Sequence, residues 1–195
     1  MALWRTRGEN LWVTIWRRPT AAEIRWQVWS AIQHGAKGFF FFIYHGPFRG
    51  PGSKGESMDG LRDRNFKETL QFRVAAAVGM QLKKLAPVLL RLDLAPIDKQ
   101  VEYWENTPVS ARTHLDRATG RRFVSMVNND MEEPRAFGVD LGYWPGMLPK
   151  EHGLFDLRTG ALYDKGAKLG PGDGTIYFVG TPAEWKSFSD GRTKR

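Results

Sequence analysis

The amino-acid sequence predicts an α/β segment followed by an all-β segment, a small antiparallel β-sandwich. Three observations carry this. A helix leads into an uninterrupted apolar strand between Pro19 and Tyr44, a second helical stretch runs from Phe66 to Leu85, and after about residue 100 the pattern changes to short strands separated by turn residues.

The first helix opens on a capping box. Thr20 followed by Glu23 lets the hydroxyl accept from an early backbone N–H while the carboxylate reaches back to the cap. Ile24, Val28, Ala31 and Ile32 then fall on one face at helical spacing, Glu23, Arg25 and Gln33 are expected to point away from it, and Gly35 stands where a left-handed cap ends the helix. Phe39 to Tyr44 is apolar at every position, as a strand covered on both faces requires. Upstream, Leu11 to Trp16 is a second run rich in β-branched and aromatic residues, so the order is strand, helix, strand with a right-handed crossover.

His45 to Asn65 is dense in Gly, Pro, Ser and charge, which predicts a long loop of the kind that carries function. The helix expected from Phe66 to about Leu85 has Lys83 and Lys84 near its C-terminus, where the dipole favours cations, and Pro87 interrupts the pattern. Strands are expected at Gln100 to Trp104, Arg112 to Leu115, Phe123 to Asn128, Ala136 to Leu141, Leu154 to Leu157 and Thr175 to Val179. Thr119-Gly120, Asn128-Asn129-Asp130, Thr159-Gly160 and Gly170 to Gly174 supply the turns. The division expected is residues 1–95, then residues 96–185, then a basic tail over residues 186–195.

Composition narrows the chemistry. The 195 residues contain no cysteine, which removes disulfides, thiolate metal sites and cysteine nucleophiles together. The longest uncharged apolar stretch, Phe39 to Tyr44, is far below the roughly 20 residues a membrane span needs, and the first residues have no signal-peptide pattern, so localisation is not legible here. The net charge is +8 and the isoelectric point near 9.9. The basic residues are spread along the chain without zinc-finger, helix-turn-helix or RNP patterns, so they read as a solvated surface and nucleic acid is not the expected partner. His34, His45, His114 and His152 have no metal-ligand spacing, and Gly170 to Gly174 lacks the Lys-Ser/Thr of a phosphate loop, so neither metal nor cofactor is expected. Ser53, Ser57 and Ser110 lack the Gly-x-Ser-x-Gly setting of a serine hydrolase.

Pro19-Thr20-x-x-Glu23 before a helix, then Ala31-Ile32-x-x-Gly35-Ala36-Lys37-Gly38 running into an aromatic strand that ends in Tyr44, resembles the last strands of the (β/α)8 barrel of β-galactosidase-like glycoside hydrolases. Downstream, Gly120-Arg121-Arg122-Phe123, Val127-Asn128-Asn129, Asp156-Leu157-x-Thr159-Gly160 and Leu169-x-Pro171-Gly172-Asp173-Gly174 resemble their C-terminal β-sandwich. The resemblance implies a partial (β/α)8-barrel segment: Leu11 to Trp16 as the seventh strand, Ala21 to His34 as the helix after it, Phe39 to Tyr44 as the eighth strand and Phe66 to Leu85 as the closing helix. A complete barrel takes about 250 residues, so the expectation is a C-terminal fragment whose missing N-terminal barrel portion is a partner.

Such barrels place an acid/base after the fourth strand and a nucleophile at the end of the seventh, two carboxylates about 5 to 5.5 Å apart in retaining enzymes. Here the fourth strand is absent, and Trp16-Arg17-Arg18 offers no carboxylate before Glu23, which the capping box occupies. No catalytic residue is therefore expected. The resemblance and the residue types together make carbohydrate the expected ligand, with Trp16, Tyr44, His45, Glu56 and Asp59 as candidate contacts. Arg49 lies in the same loop. A non-catalytic carbohydrate-binding or interaction module built on the sandwich is the alternative.

Overall fold

The computed structural model describes residues 18–41, 44–45, 60–96, 108–136, 151–164 and 166–193. The strands expected at Leu11 to Trp16 and Gln100 to Trp104 lie outside these residues, as does most of Ala136 to Leu141.

Helix α1 spans Ala21–Gln33, and its capping box is formed: Thr20 N donates to Glu23 Oε2 at 2.8 Å and Glu23 N to Thr20 Oγ1 at 3.2 Å. Gly35, at φ +91°, ends it as expected. The polar residues behave differently from expectation. Gln33 is buried, with Nε2 donating to the Ser110 carbonyl and Oε1 accepting from Ser110 Oγ, and Arg25 donates to the Pro171 carbonyl. Both reach across to the β region. Trp29, absent from the expected stripe, is completely buried.

Helix α2 spans Leu70–Leu89, later than expected at both ends. Its N-cap is Thr69, whose Oγ1 accepts from Phe72 N, and Pro87 lies inside the final turn instead of ending the helix. Strand β1, Leu92–Leu94, follows directly.

The β region is one antiparallel sheet of β1, β2 (Val109–Asp116), β3 (Arg122–Asn128), β5 (Gly153–Asp156) and β7 (Gly174–Gly180), in the order β1-β2-β3-β7-β5. Two short strands, β4 (Arg135–Ala136) and β6 (Lys168–Leu169), form a separate ribbon. The architecture is mixed α and β, and no barrel arc is formed among the described residues.

Period-two alternation sorts the central strands onto two cores. Phe123, Val127, Ile176 and Phe178 face Val28, Trp29 and Ile32 of α1 and Val78, Leu85 and Val88 of α2, while Val124, Met126, Tyr177 and Val179 join Leu154 and Leu169 in a second cluster. Helices, not a second full sheet, cover the first face. The cluster beneath them draws residues from both sides of Ala95.

Two further expectations are corrected. Phe39 to Phe41 form no strand, and Phe40 is fully exposed. A uniformly apolar run marks a buried strand only when a neighbouring strand accepts its backbone, and none does so among the described residues. Residues 186–193 belong to helix α3, Pro182–Thr193, not to a tail. Thr181 N donates to Glu184 Oε2 and Glu184 N to Thr181 Oγ1, a second capping box with Pro at the first helical position. Phe188 of α3 is buried against Phe123 and Phe178.

The Gly170 to Gly174 segment is a turn, as expected, and it docks on α1. Gly172 has φ +63°, and a Cβ there would lie 2.1 Å from the Ala22 carbonyl oxygen; a Cβ on Gly174 would lie 2.5 Å from the Trp29 ring. Glycine is required because another backbone or ring occupies the space.

Candidate carbohydrate-binding surface

The loop preceding α2 is folded tightly by two polar side chains. Asp63 Oδ1 accepts from Asn65 N and Lys67 N, both at 2.8 Å, and Asp63 N donates to the Lys67 carbonyl. Arg62 Nη1 donates to the Phe66 carbonyl at 2.7 Å. Closed from both sides, the loop holds Phe66 at φ +60°. It is the non-glycine residue of the described chain in the left-handed region, a conformation that costs about 1–2 kcal/mol. Its ring is nonetheless mostly exposed and lies flat on His45, with centroids 4.0 Å apart and planes within 7°.

Arg62 ties this loop to the segment holding Tyr44 and His45. Its backbone N–H donates to the Tyr44 carbonyl at 2.8 Å, its Nε donates to the Tyr44 hydroxyl at 3.0 Å, and its Nη2 lies 3.4 Å from Glu68 Oε1. The guanidinium carbon is 5.0 Å from the Phe72 ring centroid and 6.0 Å from that of Tyr44. Tyr44 is 55% exposed and Phe66 62%. His45 Nδ1 is buried and has no hydrogen-bond partner among the described residues.

The result is two exposed rings, Tyr44 and Phe66, with a fixed cation between loop and ring and a carboxylate at its edge. Apolar ring faces suit the C–H face of a sugar, while Arg62 and Glu68 supply donors and acceptors for hydroxyls. Of the residues expected from sequence, Tyr44 and His45 are brought together here. His45 pairs with Arg62 in an isolated parallel bridge, with Tyr44 beside it. Trp16, Glu56 and Asp59 lie outside the described residues.

Sequence reasoning missed Arg62, Phe66 and Glu68, having placed Phe66 at a helix start. The available signal was Asp63-Arg64-Asn65, an Asx-turn sequence that closes a loop before a helix can begin. Glu23, by contrast, is occupied by its cap as anticipated. No cluster of three or more His, Asp or Glu side chains able to hold a metal exists among the described residues, and no described helix is long and apolar enough to cross a membrane.

No protein-family profile, curated protein or solved structure matches this chain.

Proposed function

We propose that this chain is the carbohydrate-binding C-terminal part of a β-galactosidase-like glycoside hydrolase, with catalysis residing in a barrel portion outside it. The observation that carries the carbohydrate reading is the exposed Tyr44 and Phe66 pair locked by Arg62, because holding a ring at positive φ in solvent costs stability that a purely structural loop would avoid. The hydrolase part rests on the order of sequence motifs. Glu23, the first carboxylate after the strand expected at Leu11 to Trp16, is engaged by its helix cap, which supports placing the nucleophile of such a reaction outside this chain.

A non-catalytic binding module is the second reading. It is favoured by one specific observation, that α1 and α2 share a core with the sheet and so do not need further barrel strands to cover those faces.

Titration calorimetry with neutral galacto- and gluco-oligosaccharides tests the ligand class. Tyr44→Ala and Phe66→Ala are each expected to weaken binding about tenfold, the loss of one stacking contact. Absence of binding by the parent chain, or unchanged affinity in both variants, overturns the reading. Turnover of an aryl glycoside by the chain alone would refute the claim that catalysis lies elsewhere.

A further inference from the structure

A second concave surface lies away from the Tyr44 loop, between α2, α3 and two hairpin turns. It encloses about 960 Å³, the size of a small-molecule site. Lys84, Arg91, Arg121 and Arg158 line it, with no carboxylate among the described lining residues.

The two turns have the same sequence pattern and the same bonding. In Asp116-Arg117-Ala118-Thr119-Gly120 the Asp116 carboxylate accepts from Ala118 N and the Asp116 carbonyl from Gly120 N; in Asp156-Leu157-Arg158-Thr159-Gly160 the equivalent acceptances are from Arg158 N and Gly160 N. Gly120 and Gly160 are at φ +67° and +77°. Each turn's aspartate also anchors an arginine of the groove: Arg91 Nη2 lies 3.1 Å from Asp116 Oδ2 and Arg158 Nη2 3.5 Å from Asp156 Oδ2. Arg158 is further fixed by donating to the Gly174 carbonyl, and Arg121 lies over the Phe188 ring. Arg91 Nε is buried without a hydrogen-bond partner among the described residues.

Arginines oriented by carboxylates behind them present their remaining N–H groups at low entropic cost, and planar forks suit oxyanions. From this pairing we propose that the groove binds a compact ligand bearing two or more oxyanion groups, whether phosphate, sulfate or carboxylate. The site is independent of the Tyr44 surface and of the hydrolase reading.

Isothermal titration with inorganic pyrophosphate, a sulfated disaccharide and a galacturonate dimer tests this and identifies which oxyanion source is preferred. Lys84→Glu and Arg121→Glu, which leave the anchored arginines in place, are each expected to weaken binding of the best probe about tenfold or more, while Lys168→Glu on the separate ribbon leaves it within twofold. Failure of all three probes to bind at millimolar concentration overturns the proposal. So does an equal effect of Lys168→Glu, which would mean diffuse surface charge. Affinity found only for single-stranded DNA, rising with its length, would overturn it in favour of a nucleic-acid surface. Retained circular dichroism and melting temperature in the variants separate loss of binding from loss of fold.

Discussion

The central strands β3 and β7 and the loop carrying Phe66 treat aromatic residues in opposite ways. In the strands, Phe123 and Phe178 are buried within a nest of rings that includes Phe188, Phe155 and Trp185, none of them at positive φ. In the loop, Phe66 is exposed at positive φ and is held there by Asp63 and Arg62. Where a ring stabilises the fold its backbone is relaxed and its surface hidden. The loop pays in strain for a ring that contributes little burial, and that contrast is what separates a packing residue from a candidate binding residue.

The contrast can be broken most severely at Phe178. Phe178→Ala is expected to lower stability by about 3–5 kcal/mol, because it opens a cavity beneath both α3 and β5; urea denaturation measures it, and a loss below about 1 kcal/mol would show that the ring nest relaxes freely.

Acid probes the same core through His114. Its ring is buried, with Nε2 against Ser125 Oγ at 2.8 Å, and burial, reinforced by the Lys37 and His34 charges, pushes its pKa down to about 4. The fold therefore prefers the neutral ring. Stability is fully present above the unfolded value near 6.5 and is lost as pH falls from there towards 4, by on the order of 3 kcal/mol. Chemical denaturation from pH 7 to pH 4 checks this, with His114→Gln expected to flatten the profile.

Gly172→Ala tests the seam between turn and helix. The added Cβ meets the Ala22 carbonyl at a positive φ, so a loss of about 2 kcal/mol in thermal or urea unfolding is expected.

Phe66→Gly carries the smallest and most discriminating stability change. Relief of left-handed strain offsets the lost stack on His45, leaving stability within about 1 kcal/mol of the parent and tending upward, while oligosaccharide affinity falls. A large destabilisation instead would assign Phe66 to packing and remove the contrast.

Local chemistry read well where a signal is complete within a few residues. The Thr20–Glu23 box, the Gly35 cap, the Asp156 to Gly160 hairpin and the Gly170 to Gly174 turn all formed where expected. Thr181-Pro182-Ala183-Glu184 carried the same capping signal and would have located α3 had its basic composition not suggested a tail. Of the candidate surface, Tyr44 and His45 were legible as residue types, whereas Arg62 and Glu68 became partners only through a contact some 18 residues apart in the case of Arg62 and Tyr44.

By itself, then, the sequence determined the caps of α1, the turns and the positions of β3 and β7, because each depends on bonds or composition within a few neighbouring residues, and the lack of cysteine removed thiol chemistry. Tertiary structure decided that Phe40 is exposed, that Gln33 and Trp29 are buried, and that two distant Asp-x-x-Thr-Gly turns flank one basic groove. Those outcomes depend on which surface reaches a residue from elsewhere in the chain, and apolarity alone does not say which partner will arrive.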